Sequence, residues 1–123
     1  MSEIKSILEE KSFNFAIRIV NLNKYLIDKQ REFVMSKQIL RSGTSIGANI
    51  AEAQFAQSKA DFGTKMQISL KEANETRYWI RLLAASEYLS DMEAQSLLDD
   101  CNELINMLIS TTKTVLPRNN EKE

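Results

Sequence analysis

Three glycines and one proline in 123 residues constrain this chain more than any other feature, because so few turn formers cannot punctuate a fold of many short strands. What remains is rich in Leu, Ala, Glu, Lys and Gln, all residues that lose little freedom in a helix. Apolar positions recurring at three- and four-residue spacing predict helices over 12–28, 33–57, 59–87 and 91–116. Ser58 followed by Asp61, and Ser90 followed by Glu93, carry the N-cap pattern that opens the third and fourth of these. Pro117 closes the last helix, and the wholly polar residues after it cannot offset their ordering entropy. The expected organisation is an N-terminal extension over 1–11, a bundle over 12–116 and a disordered polar tail over 117–123. Short joins favour antiparallel neighbours, so the expected fold class is all-α: an antiparallel up-and-down four-helix bundle that assembles into a cyclic oligomer.

The oligomer expectation comes from the first helix. The fourth helix places Ala94, Leu97, Leu98, Cys101, Leu104, Ile105 and Leu108 on one stripe, which makes Cys101 a small core residue. In the first helix, Phe15, Ile19, Leu22 and Leu26 line one face, while Phe13, Ala16, Ile17, Val20 and Ile27 line nearly the opposite one. A peripheral helix has only one core to bury into, so the second stripe implies another apolar surface: either a second subunit, or the N-terminal segment carrying Ile4, Ile7 and Leu8. Gly43, Gly47 and Ala51 recur every four residues and leave a shallow groove where another helix can approach. The expected oligomer interface is Phe13, Ile17, Val20, Ile27, Gly43 and Gly47.

Chemistry-bearing motifs are sparse. Gly43-Thr44-Ser45-Ile46-Gly47 matches the nucleophile-elbow pattern, but an elbow needs a preceding strand and a base, and the chain contains no histidine. Glu72 and Glu75 on one helix face invite a di-metal reading, yet the Glu-x-x-His partners of such a site are absent for the same reason. No Walker loop, dinucleotide fingerprint or cysteine cluster occurs, so no catalytic residue, metal or cofactor is expected and the chain is not expected to be an enzyme. Arg41, Ser45, Asn49 and Glu52 form a polar line along the second helix, either a solvated face or the partner of carboxylates in the third. The expected polar network is Arg41, Asn49, Glu52, Glu72 and Glu75.

Net charge is −1, so no global field draws the chain to nucleic acid. Its distribution is uneven: eight bases against three acids over 11–60, and seven bases against eleven acids over 61–123. The basic half offers a candidate phosphate-facing surface of Arg18, Lys24, Lys37 and Arg41, or it neutralises the acidic half of a neighbouring copy. A single cysteine fits a reducing compartment, and no apolar run approaches the roughly 20 residues that span a bilayer. A cytoplasmic location away from the membrane is expected.

The run from Phe33 through Arg41-Ser42-Gly43-Thr44-Ser45-Ile46-Gly47-Ala48-Asn49-Ile50-Ala51-Glu52-Ala53 resembles the signature of four-helix bundle proteins encoded within intervening sequences of 23S ribosomal RNA genes. Ser58-Lys59-Ala60-Asp61-Phe62 and Leu70-Lys71-Glu72-Ala73-Asn74-Glu75-Thr76-Arg77-Tyr78-Trp79 resemble the same family, and the similarity spans 12–116. That family carries a ribosomal-protein-like label without a defined biochemical role. A similar bundle, the accessory protein of diversity-generating retroelements, forms a ring of five and partners a reverse transcriptase and nucleic acid. The resemblance therefore implies a homopentamer here, with RNA or a nucleic-acid-processing protein as candidate partner. This chain departs from the retroelement type in being slightly acidic. The residues leave two functions open: an RNA-associated oligomeric module, or a structural scaffold that binds protein alone.

Overall fold

The computed structural model describes residues 2–115, which form four α-helices: α1 (Ser2–Asp28), α2 (Met35–Ala53), α3 (Lys59–Ala85) and α4 (Asp91–Val115). They pack in chain order as an up-and-down bundle. α2 lies against both α1 and α3, α3 against α4, and α1 meets α4 only along a thin seam. The core runs the length of the bundle through Leu8, Phe15, Ile19, Ile39, Ile46, Ile50, Met66, Ile80, Leu83, Leu104 and Leu108, all fully buried or nearly so. The tail expected over 117–123 lies outside the described residues.

The first helix begins at Ser2 rather than at residue 12, so the expected N-terminal extension is two to three more turns of α1. Leu8 continues the inward stripe and is fully buried. Because α1 is one unbroken helix, its beginning cannot fold back over its own outer face, which removes the N-terminal segment as a cover for the second apolar stripe.

With no glycine at a turn, the chain ends its helices by other means. Arg31 and Glu87 both take left-handed backbone, with φ of 54° and 67°, at a cost that glycine would avoid. After α3 the Tyr88 N–H donates to the Leu83 carbonyl at 2.9 Å and the Glu87 N–H to Ala84 at 3.0 Å, the bonding pattern of a Schellman motif. At the start of α2 the buried Glu32 carboxylate accepts from the N–H groups of Val34, Met35 and Ser36 at 3.2, 3.1 and 2.8 Å. One side chain thus satisfies three orphan donors and sets a negative charge on the positive end of the helix. Ser58 accepts from the Asp61 N–H while Asp61 accepts from the Gln57 N–H. Ser90 and Glu93 form a full capping box.

Two of the three glycines sit inside α2, where they govern how near α1 can come. A Cβ built on Gly43 would stand 2.7 Å and 2.8 Å from the two γ-carbons of Ile19. At Gly47 the nearest atoms, the Ser12 carbonyl oxygen and hydroxyl, would be at 3.4 Å, an ordinary contact. Gly43 is buried beneath α1 of its own chain, so its expected place on the oligomer interface is corrected: the groove it opens is filled by Ile19. Buried hydroxyls tie α2 to α3: Ser69 donates to the Ile46 carbonyl at 2.8 Å, and the Ser42 and Thr76 hydroxyl oxygens lie 2.9 Å apart.

Both glycines forgo about 1 kcal/mol of helix propensity relative to alanine, whereas overpacking costs about 1–3 kcal/mol. In urea unfolding, Gly43→Ala is expected to destabilise the fold by about 1 kcal/mol or more, and Gly47→Ala to stabilise it by up to about 1 kcal/mol. The reverse order would show that Ile19 yields and that α1 is not held by this contact.

Candidate functional site

α1 turns its second stripe to solvent. Phe13 is 67% exposed, Ile17 47% and Val20 36%, while Ile27 is half-buried. Beside this stripe the N-terminal half of α1 and the outer face of α2 enclose an open cleft of about 710 Å³, walled by Glu9, Glu10, Phe13 and Ala16 on one side and by Ala48 and Ala51 on the other. Gly47 borders it and is half-buried. The small α2 side chains deepen the cleft, and Phe13 stands at its rim.

The expected polar network divides into three separate groups. Arg41 donates to Glu72 at 3.1 Å and also to Glu75, whose carboxylate accepts the Trp79 indole N–H at 3.0 Å. Asn49 is not part of this cluster: its amide donates to the Ser45 carbonyl of its own helix at 2.8 Å. Glu52 is not part of it either, pairing with Lys65 at 3.2 Å. Helical spacing puts these residues near one another on α2, but small differences in rotation aim Arg41 at α3 while Asn49 back-bonds along α2. The Glu75 carboxyl is held below its ordinary range, first by the Trp79 N–H and then by Arg41, against an opposing effect of burial.

Of the candidate phosphate-facing cations, two are already engaged. Arg18 pairs with Asp100 at 2.7 Å and donates to the Ser96 hydroxyl at 3.0 Å across the seam to α4. Arg41 is engaged as described. Lys24 and Lys37 are exposed and make no ion pair among the described residues. The Asn23 amide donates to the Ser36 carbonyl at 3.0 Å, which brings these two lysines to the same level of adjacent helices. Ser45 lies within α2 and donates to the Arg41 carbonyl at 2.6 Å, so the strand-to-helix turn of a nucleophile elbow is not present. Cys101 is fully buried and its thiol is pushed up to about 12 by burial, leaving it protonated. Among the described residues no group of three potential metal ligands converges, and no helix is long and apolar enough to cross a membrane.

Sequence reasoning missed the Glu32 cap, the Ser42–Thr76 pair and the ion pairs of the α1–α4 seam. Only the first had a local signal, an acid just before a helix start. The depressed Glu75 carboxyl contributes stability that is present above its ordinary 4.5 and is lost as pH falls through its lowered value. Trp79→Phe removes the leading cause, so melting temperature is expected to decline less steeply below pH 4.5 in the variant than in the parent chain. The Glu75 side chain is 36% exposed, so the difference is small, under about 1 kcal/mol after solvent screening. A pH-independent offset would report lost Trp79 packing alone.

The family model for the 23S rRNA-intervening sequence protein matches residues 5–110. A crystal structure of a protein of unknown function from the S23 ribosomal protein family, from Bacteroides thetaiotaomicron, matches at a TM-score of 0.88 and 55% sequence identity, covering 89% of this chain and 98% of that one. No curated protein matches the chain. With 106 of its 123 residues inside the family model, and one continuous bundle of the same fold, the chain belongs to the 23S rRNA-intervening sequence protein family.

Proposed function

We propose that this chain is a non-enzymatic interaction module that acts as a homo-oligomer, joined through the outer face of α1 and the cleft beside it. The observation that carries the proposal is the exposure of Phe13, Ile17 and Val20 along one helical stripe. Soluble chains rarely leave such a stripe uncovered, and cyclic closure buries it without an open end. Gly43 no longer contributes to this face. Five copies is the number the resemblance implies, whereas the residues speak to the contact and not to the count.

A second reading, association with RNA, draws on Lys24 and Lys37 standing unpaired at one level of α1 and α2 and on the 23S rRNA in the family's description. Two lysines are a small footprint beside the four cations expected from sequence. Phosphate-driven binding must weaken as salt rises, with a logarithmic slope of about −0.7 to −0.9 per neutralised phosphate. In a mobility-shift titration with ribosomal RNA, a slope of about −1.4 to −1.8 per bound chain that disappears in the Lys24→Glu, Lys37→Glu double variant is the outcome this reading expects. No binding at low salt leaves the protein-only module.

Self-association is tested by light scattering at micromolar concentration. A mass near the 14.1 kDa of one chain overturns the proposal, while five copies would give roughly 70 kDa if a ring closes by cyclic symmetry. Val20→Glu is expected to split the assembly, because an unpaired carboxylate in a buried contact costs several kcal/mol; an intact assembly in that variant would place the contact on another face.

A further inference from the structure

The turn between α1 and α2 ends in two bare apolar side chains: Phe33 is 53% exposed and Val34 72%. Four cations accompany them. Lys24, Lys29, Arg31 and Lys37 are all exposed and make no ion pair among the described residues. The Arg31 guanidinium stands over the Phe33 ring, 5.4 Å from its centre, and the Asn23–Ser36 bond sets Lys24 and Lys37 at one level behind the tip. Of the two carboxylates in this segment, Glu32 is buried and turned inward to cap α2, which leaves Asp28 alone at the surface.

We infer that this tip docks on an anionic lipid surface, with Phe33 and Val34 entering the headgroup–acyl boundary while Lys24, Lys29, Arg31 and Lys37 meet the anionic headgroups. The inference goes beyond self-association and departs from the membrane-free location expected from the sequence. Among the described residues no helix is long and apolar enough to cross a bilayer, so the contact is superficial. A nucleic acid would use the cations and the Phe33 ring, but Val34, the more exposed of the two apolar residues, has no π-face on which a base could stack. A bilayer uses both. The other turn at this end, between α3 and α4, carries Glu87, Asp91 and Glu93, all exposed. It lies on the opposite edge of the bundle, since α1 packs on α2 and α3 on α4. The left-handed residue of one turn is thus Arg31 and that of the other Glu87. An anionic surface attracts the α1–α2 edge and repels the α3–α4 edge, so the bundle meets it tilted. In the cyclic assembly proposed above every copy carries its tip at the same height, so several tips reach one surface together and weak single contacts reinforce one another.

Flotation of the full chain with vesicles tests this. At low salt the chain is expected to bind vesicles of equimolar phosphatidylcholine and phosphatidylserine and not vesicles of phosphatidylcholine alone. Each cation near an anionic surface strengthens binding roughly fivefold, so Lys29→Gln combined with Arg31→Gln is expected to weaken it about 25-fold. Phe33→Ser combined with Val34→Ser is expected to weaken it by about tenfold or more through lost apolar burial. Val34 is the N-cap of α2, where serine is well tolerated, and circular dichroism checks that the fold is kept. Equal binding to both vesicles, binding to neither, or either pair of substitutions without effect would overturn the inference. Capture of ribosomal RNA through Phe33 and these cations, without vesicle binding, would overturn it in favour of nucleic acid. Light scattering on the same samples keeps self-association separate: a monomer that floats as described supports the docking tip while removing the ring.

Discussion

Ile19 lying in the notch left by Gly43 fixes α1 against α2, and much of the molecule follows from that approach. It commits the stripe of Leu8, Phe15, Ile19, Leu22 and Leu26 to the core. Since a helix cannot present opposite faces to one core, Phe13, Ile17 and Val20 are turned outward by the same contact. The apolar outer face is therefore not loose packing that a small adjustment would cure. It is the necessary back of a helix whose front is tightly seated.

Polar groups hold the remaining elements in place with few resources. Having no glycine for its turns, the chain accepts left-handed backbone at Arg31 and Glu87 and recovers the helix ends through Glu32, Ser58, Asp61, Ser90 and Glu93. Glycine is kept for helix interiors, where at Gly43 its lack of a side chain is required by a neighbour's proximity rather than by backbone angle. Along the opposite edge, the α1–α4 seam is bridged by Lys11 to Glu103 and Arg18 to Asp100, at 3.3 and 2.7 Å. Exposed pairs such as these contribute little each, so the seam is the bundle's least tightly joined side, and the α1–α2 side is the rigid platform from which the outer stripe projects.

Local and periodic features were legible in the sequence: the four helices, the two capping patterns, the inward stripe of α4 and the doubled stripe of α1. Relations that depend on the rotation of one helix against another were legible only in part: Arg41 meets Glu72 as the residues led one to expect. Helical spacing grouped Arg41, Asn49 and Glu52 correctly on α2, yet only Arg41 reaches Glu72 and Glu75, because Asn49 bonds back to Ser45 and Glu52 meets Lys65. The Gly43 notch was visible as a groove, but nothing local says whether a groove is filled from inside the chain or from outside. Residues 2–11 read as an extension because Glu3, Lys5, Glu9 and Glu10 dilute the apolar signal; on a helix with one exposed face those charges need no burial.

Membership of the 23S rRNA-intervening sequence family accounts for the bundle, while the account of what the bundle does rests on the outer face of α1 being covered by another copy. Pulsed electron paramagnetic resonance tests that claim most directly, since Asp28→Cys introduces an exposed labelling site and the native Cys101 is fully buried. Dipolar coupling between labels on different copies that is lost when Val20→Glu is added is the predicted result. No dipolar coupling in the labelled parent, or coupling unchanged by Val20→Glu, would contradict it.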